Sequence, residues 1–434
     1  MSGSIVVGLD IGTTKIAAII AEVSGRDVKI LGVGKYPSVG LKRGMVVNID
    51  QTVESIKKAM QQAELMAGVQ AESVYVGIAG DHVRGINSHA VVAVGRQDHE
   101  ITEDDVRRVI DAAKAVTMPM DREIIHVIPQ EFIVDNQEGI RNPIGLTGTR
   151  LEVEAHVVTG AVASAQNTCR CVQRAGFRVK DLVLQPLASS YAVLEREEQE
   201  LGVALVDIGG GTTDIAVFFD GSIRSTDMIG LAGQVVTNDV SICLKTANER
   251  AEEIKTKHGC AFAQLVAEED IISIPMVGGR QPREISRKYL AKIIEARMTE
   301  IFNLVQFNLT ENKLISVMNA GLVLTGGGSL LPGTEELAAE IFKMPVRTGI
   351  PSGLGGLMGE ASSPVFATSV GLIHYGYQKD RLKHQDDYQD DDTYDNGEEE
   401  AGPEITDDQG VPRREGKLYD KILDNLKKFA KEFF

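Results

Sequence analysis

Apolar residues in this chain fall first into short runs rich in β-branched side chains. IVVGLDIG (5–12), KIAAIIAEV (15–23) and VKILGVGKY (28–36), divided by Gly and polar turns, predict three short strands. GVALVDIGGGTTDIAVFFDGSIRSTDMIG (202–230) repeats that arrangement about two hundred residues later. Elsewhere the period switches to three and four. DQTVESIKKAMQQAELMAG (50–68) places Ile56, Met60 and Ala63 on one face and ends at Gly68, which predicts a helix. SVYVGIAG reads as a buried strand. From about 82 to 162 come an alternating strand (HAVVAVG), a helix opening at Thr102 with acidic residues in its first turn, and the strands EIIHVIPQEFIVD and RLEVEAHVVTG. This block predicts a small αβ unit inserted between two parts of one domain.

Helical and strand patterns resume with SAQNTCRCVQRAG, VKDLVLQ and PLASSYAVLEREE. Residues 237–258 and about 284–310 predict two further helices, and AGLVLTGGGSLLPG gives a strand, a glycine turn and a helix start. The expected organisation is α/β and two-lobed. The first lobe takes 1–81 and 163–200, with 350–377 packing back on it, and 82–162 forms the inserted unit. The second lobe takes 201–349, with a smaller subdomain at about 230–312. Residues 378–416 predict a disordered linker and 417–434 an amphipathic helix.

Composition narrows the function. A net charge of −17 argues against general affinity for nucleic acid, which needs clustered Lys and Arg. About half of that excess is local, because residues 378–415 hold fourteen Asp or Glu against five Lys or Arg. Cys169 and Cys171 form a C-x-C pair without a second pair or a well-spaced His. Reduced thiols are therefore expected here, and not zinc. The sequence shows no signal-peptide pattern and no membrane-length apolar window.

The repeated phrase carries the candidate chemistry. In both copies a strand ends in Asp-Ile-Gly, so a carboxylate falls at the strand tip and the glycines let the backbone N–H groups turn toward one spot, where they can hold phosphate oxygens. Thr13, Thr14, Thr212 and Thr213 add hydroxyls, and Lys15 adds a cation. Asp10 and Asp207 tolerate phosphate only with a cation between them, for which hydrated Mg²⁺ is suited. A third loop at Gly326, Gly327 and Gly328 suits close approach by a nucleoside. Any one of these turns alone is more often a plain tight hairpin; the conjunction at domain-scale spacing is what points to a nucleotide.

The three loops, in this order, resemble the actin, Hsp70 and sugar-kinase ATPase superfamily over residues 5–377. The small unit at 82–162, the motifs QPLASSYAVL, GLAGQVVTNDVS and NERAEEIK, the acidic linker and the terminal periodic segment together resemble the FtsA family of bacterial actin-like cell-division proteins. The resemblance implies an actin-like fold that binds ATP and Mg²⁺ and polymerises. It implies that Asp10 and Asp207 hold the metal. Gly12, Thr13, Thr14 and Lys15 would contact phosphate from one side, and Gly209, Gly210, Gly211, Thr212 and Thr213 from the other. Gln185 occupies the place of the water-orienting residue, and Asp214 is the second acid of the second loop. A Gln is a weak base, so turnover, if any, is expected to be slow. Gly233, and Glu249, Glu252 and Lys255 on one helical face, are candidates for nucleoside contact; for the last three a solvated helix face is the alternative.

The resemblance further implies partners: the FtsZ C-terminal tail, other copies of the chain, and later division proteins such as FtsN through the inserted unit. Arg297, Glu300 and Asn303 on the long helix are candidate partner residues, with an ordinary exposed face as the alternative. Leu418, Tyr419, Ile422, Leu423, Leu426, Phe429, Phe433 and Phe434 recur at intervals of three and four, flanked by Lys. A helix of that kind lies in an anionic membrane interface, here the inner face of the cytoplasmic membrane at the division site; docking on its own domain or on a partner is the alternative. A soluble ATP-dependent small-molecule kinase is the competing class.

Overall fold

The computed structural model describes residues 3–24, 27–96, 98–274 and 282–389. β1 (Ser4–Ile11), β2 (Lys15–Ser24) and β3 (Asp27–Pro37) form an antiparallel meander, followed by a short hairpin of β4 (Leu41–Lys42) and β5 (Met45–Val46). α1 (Ile49–Ala67) is capped by Asn48, whose side chain accepts from the Gln51 N–H, and it stops at Gly68. Its face of Ile56, Met60 and Ala63 is fully buried against the first sheet, as the spacing predicts. β6 (Ser73–Ile78) then runs parallel to β1.

β7 (Arg84–Ala93), α2 (Glu103–Ala113), β8 (Arg122–Val134), β9 (Gln137–Ile140) and β10 (Arg150–Ala161) follow, and their strands pair in the order β7-β10-β8-β9. Thr102 caps α2 in a reciprocal box with Asp105. By compactness the described chain divides into one unit within residues 1–88, 116–130 and 155–376 and a second within 89–115, 131–154 and 377–389.

α3 (Val162–Ala175) leads to β11 (Arg178–Leu184), parallel to β6, and then to α4 (Gln185–Val193) and α5 (Arg196–Leu201). The second copy of the meander is β12 (Val203–Ile208), β13 (Thr213–Phe219) and β14 (Ser222–Ile229). Then come α6 (Gly233–Leu244), α7 (Asn248–His258), the hairpin β15 (Ile271–Ile274) with β16 (Arg283–Ser286), and α8 (Arg287–Glu311). β17 (Gly321–Thr325) runs parallel to β12 and, after α9 (Thr334–Phe342), β18 (Val346–Thr348) runs parallel to β17. β19 (Gly355–Gly356) adds to the outer side of β3, and α10 (Met358–Ala361) and α11 (Ala367–Gln389) complete the described chain. The two large sheets therefore share one topology, β3-β2-β1-β6-β11 in the first and β14-β13-β12-β17-β18 in the second. The repeated phrase marks a repeated half-domain.

Three expectations are corrected. The single helix at 237–258 is two, broken where Lys245 turns left-handed (φ 54°) and the Ser241 hydroxyl donates to the Thr246 carbonyl. The long helix begins at Arg287, because residues 283–286 pair with β15 to bury Ile285 beside Ile272 and Ile274, a tertiary contact that overrides local helix preference. At the other end the linker expected from 378 is helical to Gln389, since QKDRLKHQDDYQ is rich in good helix formers and lacks Gly and Pro. The remainder of 378–416 and the periodic segment from Leu418 to Phe434 lie outside the described residues. All four cysteines are free thiols.

β14 is an edge strand, and polar side chains cover it, Gln130 and His156 buried and Asn87 exposed. Gln130 donates to the carbonyls of Ile223 (2.8 Å) and Arg224 (3.3 Å), and Asn87 donates to Arg224 (3.2 Å). That fixes the Asn87 amide so that its oxygen faces His156 Nδ1 at 2.6 Å, while His156 Nε2 meets the Thr226 hydroxyl at 2.8 Å. Burial holds His156 neutral and lowers its pKa from 6.5 to about 4. A lowered folded-state pKa means that stability is fully present above about 6.5 and is lost as pH falls toward about 4, by ~3 kcal/mol at most. Urea denaturation between pH 7.5 and 4.5 checks this. The stability advantage of the native chain over His156→Gln is expected to shrink across that window, and an unchanging gap excludes it.

Candidate functional site

Both copies of Asp-Ile-Gly end a central strand. Asp10 lies one residue from the end of β1, paired with Ala17, and Asp207 lies one residue from the end of β12, paired with Asp214. After each, the chain turns back through a hairpin closed by one backbone bond, Gly12 N–H to Lys15 O (3.0 Å) and Gly209 N–H to Thr212 O (2.9 Å). The two hairpins meet. A Cβ on Gly210 would stand 2.3 Å from Thr14 Cγ2, and one on Gly211 would stand 2.5 Å from Thr13 Oγ1, so only glycine permits this approach. Thr13 Oγ1 also accepts from the Gly44 N–H at the β4–β5 turn (2.9 Å), and Thr213 Oγ1 donates to the Leu231 carbonyl (2.8 Å).

One helix joins the two carboxylates. Gln185 and Ser189, four residues apart at the start of α4, share a face. Gln185 Nε2 donates to Asp10 Oδ1 (3.0 Å), and Ser189 Oγ donates to Asp207 Oδ2 (3.1 Å) and contacts Thr368 Oγ1 (3.0 Å). Ser189 and Thr368 were missed by sequence reasoning. The helical spacing from Gln185 was the available signal for Ser189; Thr368 arrives from more than 170 residues away and had none.

The electrostatics are lopsided. Lys15 Nζ is 2.6 Å from Asp10 Oδ2. Burial, then the Asp10 carboxylate, pushes Asp207 up to about 6. Burial, then Asp207, pushes Asp214 up to about 8, although the Thr212 hydroxyl donates to it (3.1 Å). Lys15 closes the first hairpin where Thr212 closes the second, and Asp214, opposite Asp207, falls where the first hairpin has Ala17. Hard oxygen donors short of positive charge are the donor set a divalent cation fits. Among the described residues no group of three or more Asp, Glu, His or Cys is arranged to hold a metal.

The outer parts of the expected site are mixed. Gly233 packs its N–H on the Gly209 carbonyl (3.1 Å), and its own carbonyl accepts from Lys255 Nζ (3.1 Å). Lys255 is buried, bonded to Thr237 Oγ1 (2.8 Å) and paired with Glu252 (2.7 Å), while Glu249 is exposed. Gly326 has φ 80°, and a Cβ there would stand 2.2 Å from Asp207 Oδ1; a Cβ on Gly328 would stand 2.3 Å from Ile208 Cγ2. Packing on the tip of β12 therefore requires these two glycines, and Gly327 has open space around it. Arg297 is held by Asp239 (2.6 and 3.2 Å) and by Glu300, and Glu300 and Asn303 are exposed on α8.

Two duplicated sheets with paired loops at their strand tips define an actin-like fold. The PilM-PilN type IV pilus biogenesis complex superposes with a TM-score of 0.63 at 17% identity over 86% of this chain and 98% of that one. MreB5 of Spiroplasma citri bound to ADP gives 0.52 at 15% identity over 90% and 98%. A family pattern described as an SHS2 domain inserted in FtsA matches residues 80–159, and one described as cell division protein FtsA matches 204–371. Cell division protein FtsA of Pseudomonas aeruginosa is 49% identical over 379 residues, covering 87% of this chain and 90% of that protein. The chain belongs to the FtsA family of cell division proteins.

Proposed function

We propose that this chain binds ATP with hydrated Mg²⁺ between its two duplicated sheets, assembles with copies of itself, and links FtsZ to the inner face of the cytoplasmic membrane. The observation that carries the nucleotide part is the convergence of both hairpins and of Gln185 and Ser189 on Asp10 and Asp207. Asp10 and Asp207 hold the ion through its water shell. When bound, the ion neutralises phosphate charge beside the two carboxylates. Lys15, Thr13, Thr14 and the N–H groups of the loop beyond Gly209 take phosphate oxygens. Gly233, Lys255 and the loop at Gly326–Gly328 border the nucleoside. Gln185 orients a water near Asp10 without acting as a base, and Asp214, the second acid of the second loop, keeps its own proton up to about pH 8; hydrolysis is accordingly slow. Nucleotide then acts mainly as a switch on lobe closure and assembly.

The family and the sequence support the rest. The FtsZ tail docks on the subdomain of α8 near Arg297, Glu300 and Asn303, and FtsN or another later division protein meets the inserted unit. Residues 417–434 lie on anionic lipid through the apolar face from Leu418 to Phe434. Attachment through that face is peripheral; among the described residues no helix is long and apolar enough to cross a membrane.

Equilibrium titration with a fluorescent ATP analogue tests the central reading. Saturable binding in Mg²⁺ that is lost on chelation is expected. No binding in either condition overturns the reading, and rapid phosphorylation of a sugar or small acid moves the chain to the kinase class.

A further inference from the structure

β11 and β14 are edge strands of their sheets, one in each half of the duplicated fold, and an exposed edge needs cover. The same strand, β8, covers both. His126 and Gln130 are four residues apart and so share a face of that strand. His126 Nε2 accepts the backbone N–H of Leu184, the last residue of β11, at 3.0 Å. Gln130 donates to the carbonyls of Ile223 and Arg224 on β14. The first contact lies close to the chemistry: Leu184 is the residue before Gln185, and it caps α4 with no side-chain bond of its own to that helix. The second acts along a strand: β14 pairs with β13 from Ile223 opposite Phe218 to Met228 opposite Asp214 in the second hairpin. Asn87 and His156 add two further bonds to the β14 side.

We propose that β8 is a strut between the two halves of the cleft, and that His126 is a positioning residue for Gln185. Because His126 accepts at Nε2, its proton is on Nδ1, and the ring fixes the backbone from which Gln185 reaches Asp10. Any change in the separation of the two sheets then loads β8 at its two contacts, His126 and Gln130. The strand continues past Gln130 to Val134, so the inserted unit receives a mechanical report of nucleotide state. This rests on the nucleotide reading above.

Hydrogen exchange of the full chain, with and without Mg²⁺ and a non-hydrolysable ATP analogue, tests it. Peptides over 9–15 and 206–214 report binding itself. Peptides over 122–134 and 184–194 report the strut, and are expected to slow by about threefold or more on binding. In His126→Phe the hairpin peptides are expected to respond as before while 122–134 no longer does. In His126→Gln, whose side-chain oxygen can accept the same N–H, the response is expected to return. Hairpins that never respond sink the nucleotide reading and the strut with it. Hairpins that respond while 122–134 stays silent in the native chain sink the strut alone, as does an undiminished response in His126→Phe. The native chain alone therefore decides the matter should the Phe variant fail to fold.

Discussion

Asp207→Asn, and likewise Asp10→Asn, is expected to weaken Mg²⁺-dependent ATP binding by roughly 100-fold or more, the usual scale for removing one charged partner from a desolvated ionic contact. The same cluster has an opposite effect on the nucleotide-free fold, which Asp214 displays most cleanly because it is 7% exposed. Its carboxyl stands at about 8 through burial and the neighbouring Asp207. A raised carboxyl pKa means that the folded chain keeps a proton which the unfolded chain gives up, so stability drains away as pH rises from about 4 to about 8. Asp214→Asn keeps the bond from Thr212 without that loss. It is expected to melt at the same temperature as the native chain near pH 4, and several degrees higher at pH 8. Saturating Mg²⁺ and ATP then reverse the order for Asp207→Asn, because ligand stabilises only the form that binds it. Calorimetric melting at two pH values, with and without ligand, reads all of this. Equal binding by the Asn variants removes the metal role assigned to Asp10 and Asp207.

The second large effect concerns the far end of the chain. A chain ending at residue 416 is expected to stay in the supernatant when anionic vesicles are pelleted, under conditions that bring down most of the full chain. Each large side chain from Leu418 to Phe434 contributes ~1.5–3 kcal/mol if fully buried. Burial at an interface is partial, and ordering a helix costs conformational entropy. One segment is therefore expected to bind reversibly, and many on one polymer with high avidity. The full chain's bound fraction should rise more steeply than linearly with protein concentration when ATP is present. Equal pelleting of both chains removes the proposed tether.

Local patterns made most of the fold legible. Asp-Ile-Gly recurs because the same half-domain recurs, and the shared strand order of the two sheets is its three-dimensional expression. α1 was readable from its period and its stop at Gly68, and α2 from its cap at Thr102, since such signals act within one turn of their own helices. The site was legible where its residues sit in the repeated phrase, and illegible where distant elements complete it. Thr368, from α11, and His126, from β8, reach the cluster around α4 only through tertiary packing. Local helix preference also misled at 283–286, where pairing with β15 decides the backbone. The sequence places Arg297 beside Glu300 and Asn303 on one helix; the structure adds Asp239 from α6 to the same guanidinium, so any partner there meets one cation shared by two carboxylates.

The two hairpins are copies in backbone but not in charge: Lys15 stands where the second has Thr212, and Asp214 stands where the first has Ala17. Had duplication left the same residues in both, the cleft would face an incoming molecule with matching charge from either wall. A cation on one wall and an added carboxyl on the other make it directional. An elongated anion carrying its counter-ion at one flank has a single favoured orientation there. Moving the cation to position 212 and the carboxyl to position 17 is the change that would ask it to turn around.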